Sequence, residues 1–310
     1  MANTSFNPNG QLPSLAGKVI MITGGTAGLG ASTIEILAEK GPAHIFFTGR
    51  NQKAANTIIA GLKRAAPRVP ITFIQNDISS LQSTKETAKT FKAASDRLDI
   101  LMLNAGIMTA PAATSVDGYE THFATNHMGH ALLIKLLMPT MQRTAKLPDA
   151  DVRLINLTSI AYEAAPSQGI DFATLKSEQK NLGNSVMARW LRYGQSKLAN
   201  ILYVQQLARQ YPEITSVAIH PGIIRTGLFE NLGLVDRIML SVKFAGQFTP
   251  VEKGAWNQCW AALAEKSEMK NGGYYAPIGK LTVPITTAGK DEGLSKKLWQ
   301  WTQSELASYE

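Results

Sequence analysis

The chain has 310 residues, 45% hydrophobic and 17% charged. This is an ordinary globular balance that excludes a disordered or fibrous protein and can bury a large core without staples. The net charge of +8 is scattered, and no run of five like charges marks a nucleic-acid surface. The basic residues therefore read as a solvated surface that also favours an anionic cofactor.

Residues 1–16 (MANTSFNPNGQLPSLA) read as a flexible lead-in without the basic-then-apolar pattern of a secretory signal. From residue 17 a rhythm begins. The apolar runs KVIMIT (18–23), HIFFTG (44–49), ITFIQN (71–76), LDILMLN (98–104), VRLINLTS (152–159) and TSVAIH (215–220) read as strands. Between and after them the periodicity predicts helices over 29–40, 52–66, 81–96, 118–143, 194–211 and 250–265. This alternation predicts an α/β fold, a doubly wound parallel sheet with helices on both faces. No linker interrupts it, so 17–310 reads as a single domain. Two intervals, about 160–192 and 223–249, leave from carboxyl ends of strands, where doubly wound sheets bind ligands. They read as substrate-loop insertions. Within the second, LGLVDRIMLSVKFAGQF (232–248) predicts a lid helix, with a membrane-surface helix as the other reading. No apolar run reaches the ~18 residues of a membrane span. The one cysteine, Cys259, lies in the helical pattern AWNQCWAALA (255–264) and reads as a packed thiol. A single cysteine excludes an intrachain disulfide and suits a reducing compartment, so the expected location is cytoplasmic.

The first strand runs into IMITGGTAGLG (20–30) and then a helix. Gly24, Gly28 and Gly30 permit a tight turn, close backbone approach and close helix packing, so a phosphate pair can rest on the helix start. A plain glycine turn gives the same letters, and the spacing is not G-x-G-x-x-G. The second strand ends at Thr48, Gly49 and Arg50. An acidic residue there would hold the ribose hydroxyls of NAD. A cation, with Lys53 as a second, instead suits the 2′-phosphate of NADP. Tyr193 and Lys197 sit at i and i+4 at the start of a predicted helix and share one face. A cation beside a phenol favours the phenolate and makes a general acid or base, although a surface pair is also possible. Ser159 ends the fifth strand, where its hydroxyl can join a substrate carbonyl to the tyrosine, or simply serve a turn. Asn126, in HFATNHMGHALL (122–133), could equally be a helix polar residue facing water. His122, His127 and His130 crowd the same segment. They are out of step and lack a completing carboxylate, so no metal site is expected.

Together the pieces TGGTAGLG (23–30), NAG (104–106), NHMGH (126–130), LTS (157–159), YGQSKLAN (193–200) and HPGIIRT (220–226) resemble the short-chain dehydrogenase/reductase family. The wording and the long 159–193 spacing resemble its retinol-dehydrogenase-like and WW-domain-oxidoreductase-like branch. The resemblance spans roughly residues 17–280 and implies a Rossmann-type sheet of about seven strands. It implies that Tyr193 is the catalytic acid/base and also touches the cofactor, and that Lys197 lowers its pKa and holds the nicotinamide ribose. Ser159 would orient the carbonyl. Asn126 would kink its helix and hold a water of a proton relay. The cofactor, NADP(H), would rest on Thr23, Gly24, Thr26, Gly28, Leu29 and Gly30, with Asp77 and Ile78 at the adenine. Asn104, Ala105 and Gly106 would close over the adenosine side. Pro221, Gly222, Ile223 and Thr226 would bracket the nicotinamide and phosphates.

The expected pocket walls offer Met108, Pro111, Ile160, Trp190, Leu228, Phe229 and Phe244. The expected substrate is thus a mainly apolar small-molecule carbonyl or secondary alcohol. A non-catalytic NADP(H) sensor is the rival from another class, and a sugar-nucleotide epimerase the rival among enzymes. By analogy, helices 118–143 and 194–211 would pair subunits in a homodimer or homotetramer.

Overall fold

Val19–Ile22 (β1) is apolar at every position, and all four residues are buried. Such a strand needs cover on both faces. Val19 and Met21 enter one core with Leu101, Leu103 and Leu154. Ile20 and Ile22 enter another with Ile45, Phe47 and Ile155. A computed structural model describes residues 6–8, 10, 13–183, 185–224, 233, 237, 241, 248–249 and 253–309 of the protein.

The elements follow in order: α1 (Gly28–Ala38), β2 (His44–Gly49), α2 (Gln52–Ala65), β3 (Ile71–Gln75), α3 (Leu81–Ala94) and β4 (Ile100–Leu103). A helical turn α4 (Thr121–Phe123) continues through a π turn (Ala124–Met128) into α5 (Gly129–Ala145). Then come β5 (Arg153–Leu157), α6 (Val186–Gln210), β6 (Thr215–Ile219), β7 (Ile223–Ile224), β8 (Phe248–Thr249), α7 (Trp256–Leu263), β9 (Tyr274–Ala276), β10 (Lys280–Thr282), α8 (Thr287–Lys290) and α9 (Glu292–Glu305).

The main sheet runs β10-β9-β6-β5-β4-β1-β2-β3, and β7 pairs with β8 separately. All pairings in the main sheet are parallel except β10 on β9. This is the doubly wound fold, with eight strands where about seven were expected. β9 and β10 are three residues each, and β10 is largely exposed, so neither carries the apolar run that marks the inner strands. The order reverses between β1 and β4, which opens a crevice at their carboxyl ends. Asp99 fixes this junction. Its Oδ2 accepts the Val19 N–H at 2.9 Å and Arg97 Nε at 2.7 Å.

Three boundaries depart from the sequence reading. Helix α6 begins at Val186, eight residues before the expected 194, because Ser185 caps it by accepting the Ala188 N–H at 3.2 Å. Tyr193 therefore lies in the third turn of a 25-residue helix, not at its start. The 160–192 interval is also packed. Leu175 and Gln179 are fully buried, and Gln195 ties Asp171 N–H (2.7 Å) and Gln179 Oε1 (3.0 Å) to α6. Finally, α9 lies beyond the expected elements and covers α6, with Trp299 and Trp301 at the edge of the first core. In the lead-in, Phe6 and Leu15 pack into the second core. Most of 223–249, including Leu228, Phe229, Phe244 and most of the lid-helix stretch, lies outside the described residues, as does Thr226. No described helix is long and apolar enough to cross a membrane.

Candidate active site

A cleft of about 520 Å³ opens at the β1/β4 reversal. Of the residues expected there, Gly24, Thr26, Gly28, Leu29, Arg50, Asp77, Ile78, Asn104, Ala105, Gly106, Tyr193, Lys197 and Pro221 line it. Ala27, Thr48, Gly49, Asn76, Ser79, Ile107, Thr121, Thr125, Leu157 and Thr158 line it too, of which the sequence reading places Thr48 and Gly49 at the end of the second strand and Leu157 and Thr158 in the LTS piece. Thr23, Gly30, Lys53, Asn126, Ser159, Gly222 and Ile223 are not among the lining residues.

The glycine turn is shaped for an anion. Gly24 (φ 69°) and Gly28 (φ 54°) are left-handed, where a side chain is strained. A Cβ at Gly28 would meet no atom within 4 Å and would project into open space, whereas one at Gly30 would strike the Gly24 carbonyl. Gly30 is thus a packing glycine and Gly28 a cleft glycine. Helices α2, α3, α6 and α9 are capped by side chains of Asn51, Ser80, Ser185 and Asp291. Helix α1, with Ala27 at its N-cap position, has no side-chain cap and no acidic residue in its first turn. Its first N–H groups are free of side-chain acceptors and suit phosphate. Arg50 stands exposed at the cleft wall; Lys53 is exposed but outside it.

Thr23 serves the site from behind. Its Oγ1 accepts Asn104 N–H (2.9 Å) and Ala105 N–H (3.0 Å) and lies 2.9 Å from His130 Nε2. Two donors fill the hydroxyl's lone pairs, so its proton goes to Nε2. The His130 proton then sits on Nδ1, facing the Asn126 carbonyl at 3.1 Å. Burial holds this histidine neutral, pushed down to about 4.

The chemical end is built on α6. Lys197 Nζ donates to the Leu157 carbonyl at 3.0 Å and lies 6.0 Å from the Tyr193 ring centre. Burial lowers the lysine to about 8. Burial raises the Tyr193 phenol to about 12, against a hydrogen bond with Ser159 that lowers it. Burial is thus the largest influence on the phenol, above the hydrogen bond to Ser159, and Lys197 is not among the groups that shift it here. Ser159 also caps the 160–164 turn, accepting Ala161 N–H at 3.2 Å. Asn126 is fully buried rather than facing water. Its Nδ2 donates to the Ile107 carbonyl (3.1 Å) and Ser196 Oγ (2.8 Å), and its Oδ1 accepts Ile107 N–H at 2.9 Å. Trp190, 5.9 Å from Tyr193 ring to ring, forms a small apolar cluster with Met108, Val186 and Phe248 around the phenol. The crowded histidines are each otherwise engaged. His122 meets Glu120, His127 meets Thr302 Oγ1 at 3.0 Å, and His130 meets Thr23.

Gly194 sets the spacing between Tyr193 and Ser159. A Cβ there would lie 2.5 Å from the Ala161 carbonyl oxygen and 2.8 Å from the Ala164 carbonyl carbon. Gly194→Ala is expected to push α6 off the turn that Ser159 caps. Overpacking of this kind costs about 1–3 kcal/mol, and a misplacement of about 1 Å costs about 10²-fold in turnover. Urea melts beside steady-state rates check both.

A family model described as short chain dehydrogenase matches residues 18–177. The chain is 32% identical to short-chain dehydrogenase/reductase drtF of Aspergillus calidoustus, over 96% of each chain. It is 31% identical to retinol dehydrogenase 12 of Mus musculus, over 94% of this chain and 86% of that protein. Among solved structures, the RhlG/NADP active-site complex of Pseudomonas aeruginosa superposes with a TM-score of 0.65 at 25% identity, covering 86% of this chain and 96% of that one. With matches of this extent and a doubly wound sheet behind them, the chain belongs to the short-chain dehydrogenase/reductase family of oxidoreductases.

Proposed function

We propose that the protein is an NADP(H)-dependent oxidoreductase that moves a hydride between the nicotinamide and the carbonyl or secondary alcohol carbon of a mainly apolar small molecule. One observation carries this reading: a single cleft runs from the uncapped glycine turn at α1 to Tyr193 and Lys197. The likeness to a protein solved with NADP supports the choice of cofactor class.

Gly24, Gly28 and the start of α1 would hold the pyrophosphate. Arg50 would pair with the 2′-phosphate, Asp77 and Ile78 would flank the adenine, and Asn104–Gly106 and Pro221 would line the rest. Bound there, the cofactor supplies or accepts the hydride. The chain's own part is proton chemistry. Tyr193, protonated at neutral pH, delivers its proton to the forming alkoxide in reduction. Ser159, bonded to the same phenol, orients the carbonyl. The ammonium of Lys197 stabilises the phenolate left behind. The apolar cluster of Trp190, Met108 and Phe248 keeps water from the reacting carbon and favours an apolar substrate.

The test is NADPH consumption with 2-acetylnaphthalene, retinaldehyde, a 3-ketosteroid and a polyketide-like diketone. Turnover establishes the reductase and its substrate class. Tight NADPH binding with no turnover of any carbonyl favours the sensor. Arg50→Glu tests the cofactor choice separately. Losing one charge-assisted contact is expected to weaken NADPH about 10–100-fold, with NADH little changed. Equal loss for both cofactors overturns the role of Arg50.

A further inference from the structure

After Asn104–Gly106 the chain turns sharply toward the substrate side. Thr109 sits at φ 51°, a left-handed conformation that a β-branched residue adopts only when its surroundings impose it. The turn is pinned twice by one helix. Asn126 holds Ile107 through both N–H and C=O. Four residues earlier, His122 Nε2 accepts the Ala110 N–H at 2.8 Å.

That second pin depends on a tautomer. Because Nε2 accepts, the imidazole proton sits on Nδ1, 2.7 Å from Glu120 Oε1. Glu120 Oε2 accepts the Phe123 N–H at 2.8 Å, and Arg192 Nε stands 4.0 Å from Oε1. The side chains of all three residues are fully buried. The carboxylate is thus shared between the imidazole Nδ1, the Phe123 N–H and the Arg192 guanidinium, while the lone pair on Nε2 is committed to Ala110. His122 does not line the cleft. Its ring centre is 6.2 Å from that of Tyr193, and Met108, between the two pins, packs on Tyr193 and Trp190.

We propose that Glu120 and His122 form a tautomer-locked clip, with His122 a positioning residue that holds the 107–110 turn and sets Met108 against the substrate. This rests on the reductase reading for what the turn meets. The clip acts on substrate and not on cofactor, because Asn104 and Ala105 are tied independently to Thr23 and Gly24.

The test compares His122→Phe, which keeps a ring but no acceptor, with His122→Gln, whose amide oxygen reaches the place of Nε2. Three quantities are read: amide exchange at Ala110, NADPH affinity by fluorescence, and KM and kcat with 2-acetylnaphthalene. In His122→Phe, Ala110 exchange accelerates at least about tenfold and KM rises about tenfold, the loss of one buried hydrogen bond. NADPH affinity stays within about twofold and kcat within about threefold on the same reasoning. His122→Gln restores both exchange and KM. Persistent Ala110 protection in His122→Phe, a glutamine no better than phenylalanine, or NADPH affinity falling as far as KM rises would each overturn the clip. If His122→Phe does not fold, Glu120→Gln serves. Its amide can donate to Nδ1, turning Nε2 into a donor that faces the Ala110 N–H, so unchanged Ala110 exchange there overturns the proposal. If the wild type reduces no carbonyl, the reductase reading fails, while exchange and its rescue still decide the clip.

Discussion

Tyr193→Phe is expected to lower kcat by about 10²–10⁴-fold, the usual worth of a positioned general acid, or about 3–5 kcal/mol of barrier. NADPH affinity should fall only about twofold to threefold, because the variant removes one oxygen and keeps the ring that lines the cleft. The phenol is buried and raised to about 12, so it keeps its proton until a strongly basic alkoxide forms beside it. On the proposed reductase reading, oxidation of the alcohol should climb as pH rises and more phenolate forms. Stopped-flow turnover in both directions, beside fluorescence titration with NADPH, checks the prediction. A mutant that keeps wild-type kcat would remove Tyr193 from the chemistry.

Lys197→Met is expected to do two opposite things: abolish most turnover and stabilise the fold. Burial holds the lysine down at about 8, against 10.5 ordinarily. Between those values the folded state binds fewer protons than the unfolded chain, so stability from this group rises as pH climbs from about 8 to about 10.5. Below about 8 the full cost of burying the ammonium is present, on the order of 3 kcal/mol. Methionine has a similar unbranched shape and no charge. The Leu157 carbonyl that Lys197 occupies is not orphaned by the change, since Asn200 Nδ2 also donates to it at 3.0 Å. Denaturant melts should show the variant about 2–3 kcal/mol more stable at pH 7, with the difference shrinking toward zero near pH 10.5. A destabilised variant would mean that the contacts of the ammonium outweigh its desolvation.

The parts of the site that were legible in the sequence are those whose chemistry is local. Tyr193 and Lys197 share a helix face by spacing alone, and Arg50 follows directly from the end of a strand. β1 and β4 announced themselves because both faces are covered and every position is apolar. What could not be read depends on where a side chain points after packing. Thr23 belongs to the phosphate motif by its letters, yet it is a buried hydroxyl hub behind the site, whereas the close-packing role read for Gly30 is the one it fills. Asn126 offers no pattern to show that a π turn would carry it into the interior. The Glu120, His122 and Arg192 cluster forms only when α4 and α6 meet, and linear spacing says nothing about that meeting. β9, β10 and α9 escaped because the short strands lack an apolar run and the last helix follows a polar stretch that blurs its start.

The strand order also bears on how the chain is made. β2 pairs with β1, and β3 with β2; β4 returns to β1, and β5, β6, β9 and β10 each join the strand before them in the sheet. No strand has to be inserted between two already joined, so a chain emerging from the ribosome can grow its sheet outward by docking each new strand on an open edge. The β1–β4 closure, across Ile20 and Ile100, is the slow non-local step of the first half. Until β5 and β6 arrive, the β4 edge is wholly apolar and open to pairing with a neighbouring nascent chain. Stalling synthesis between about residues 104 and 150 should therefore be the most aggregation-prone interval, and the short terminal strand β10, with Lys280 and Leu281 exposed, is a far less adhesive edge than the ones it replaces.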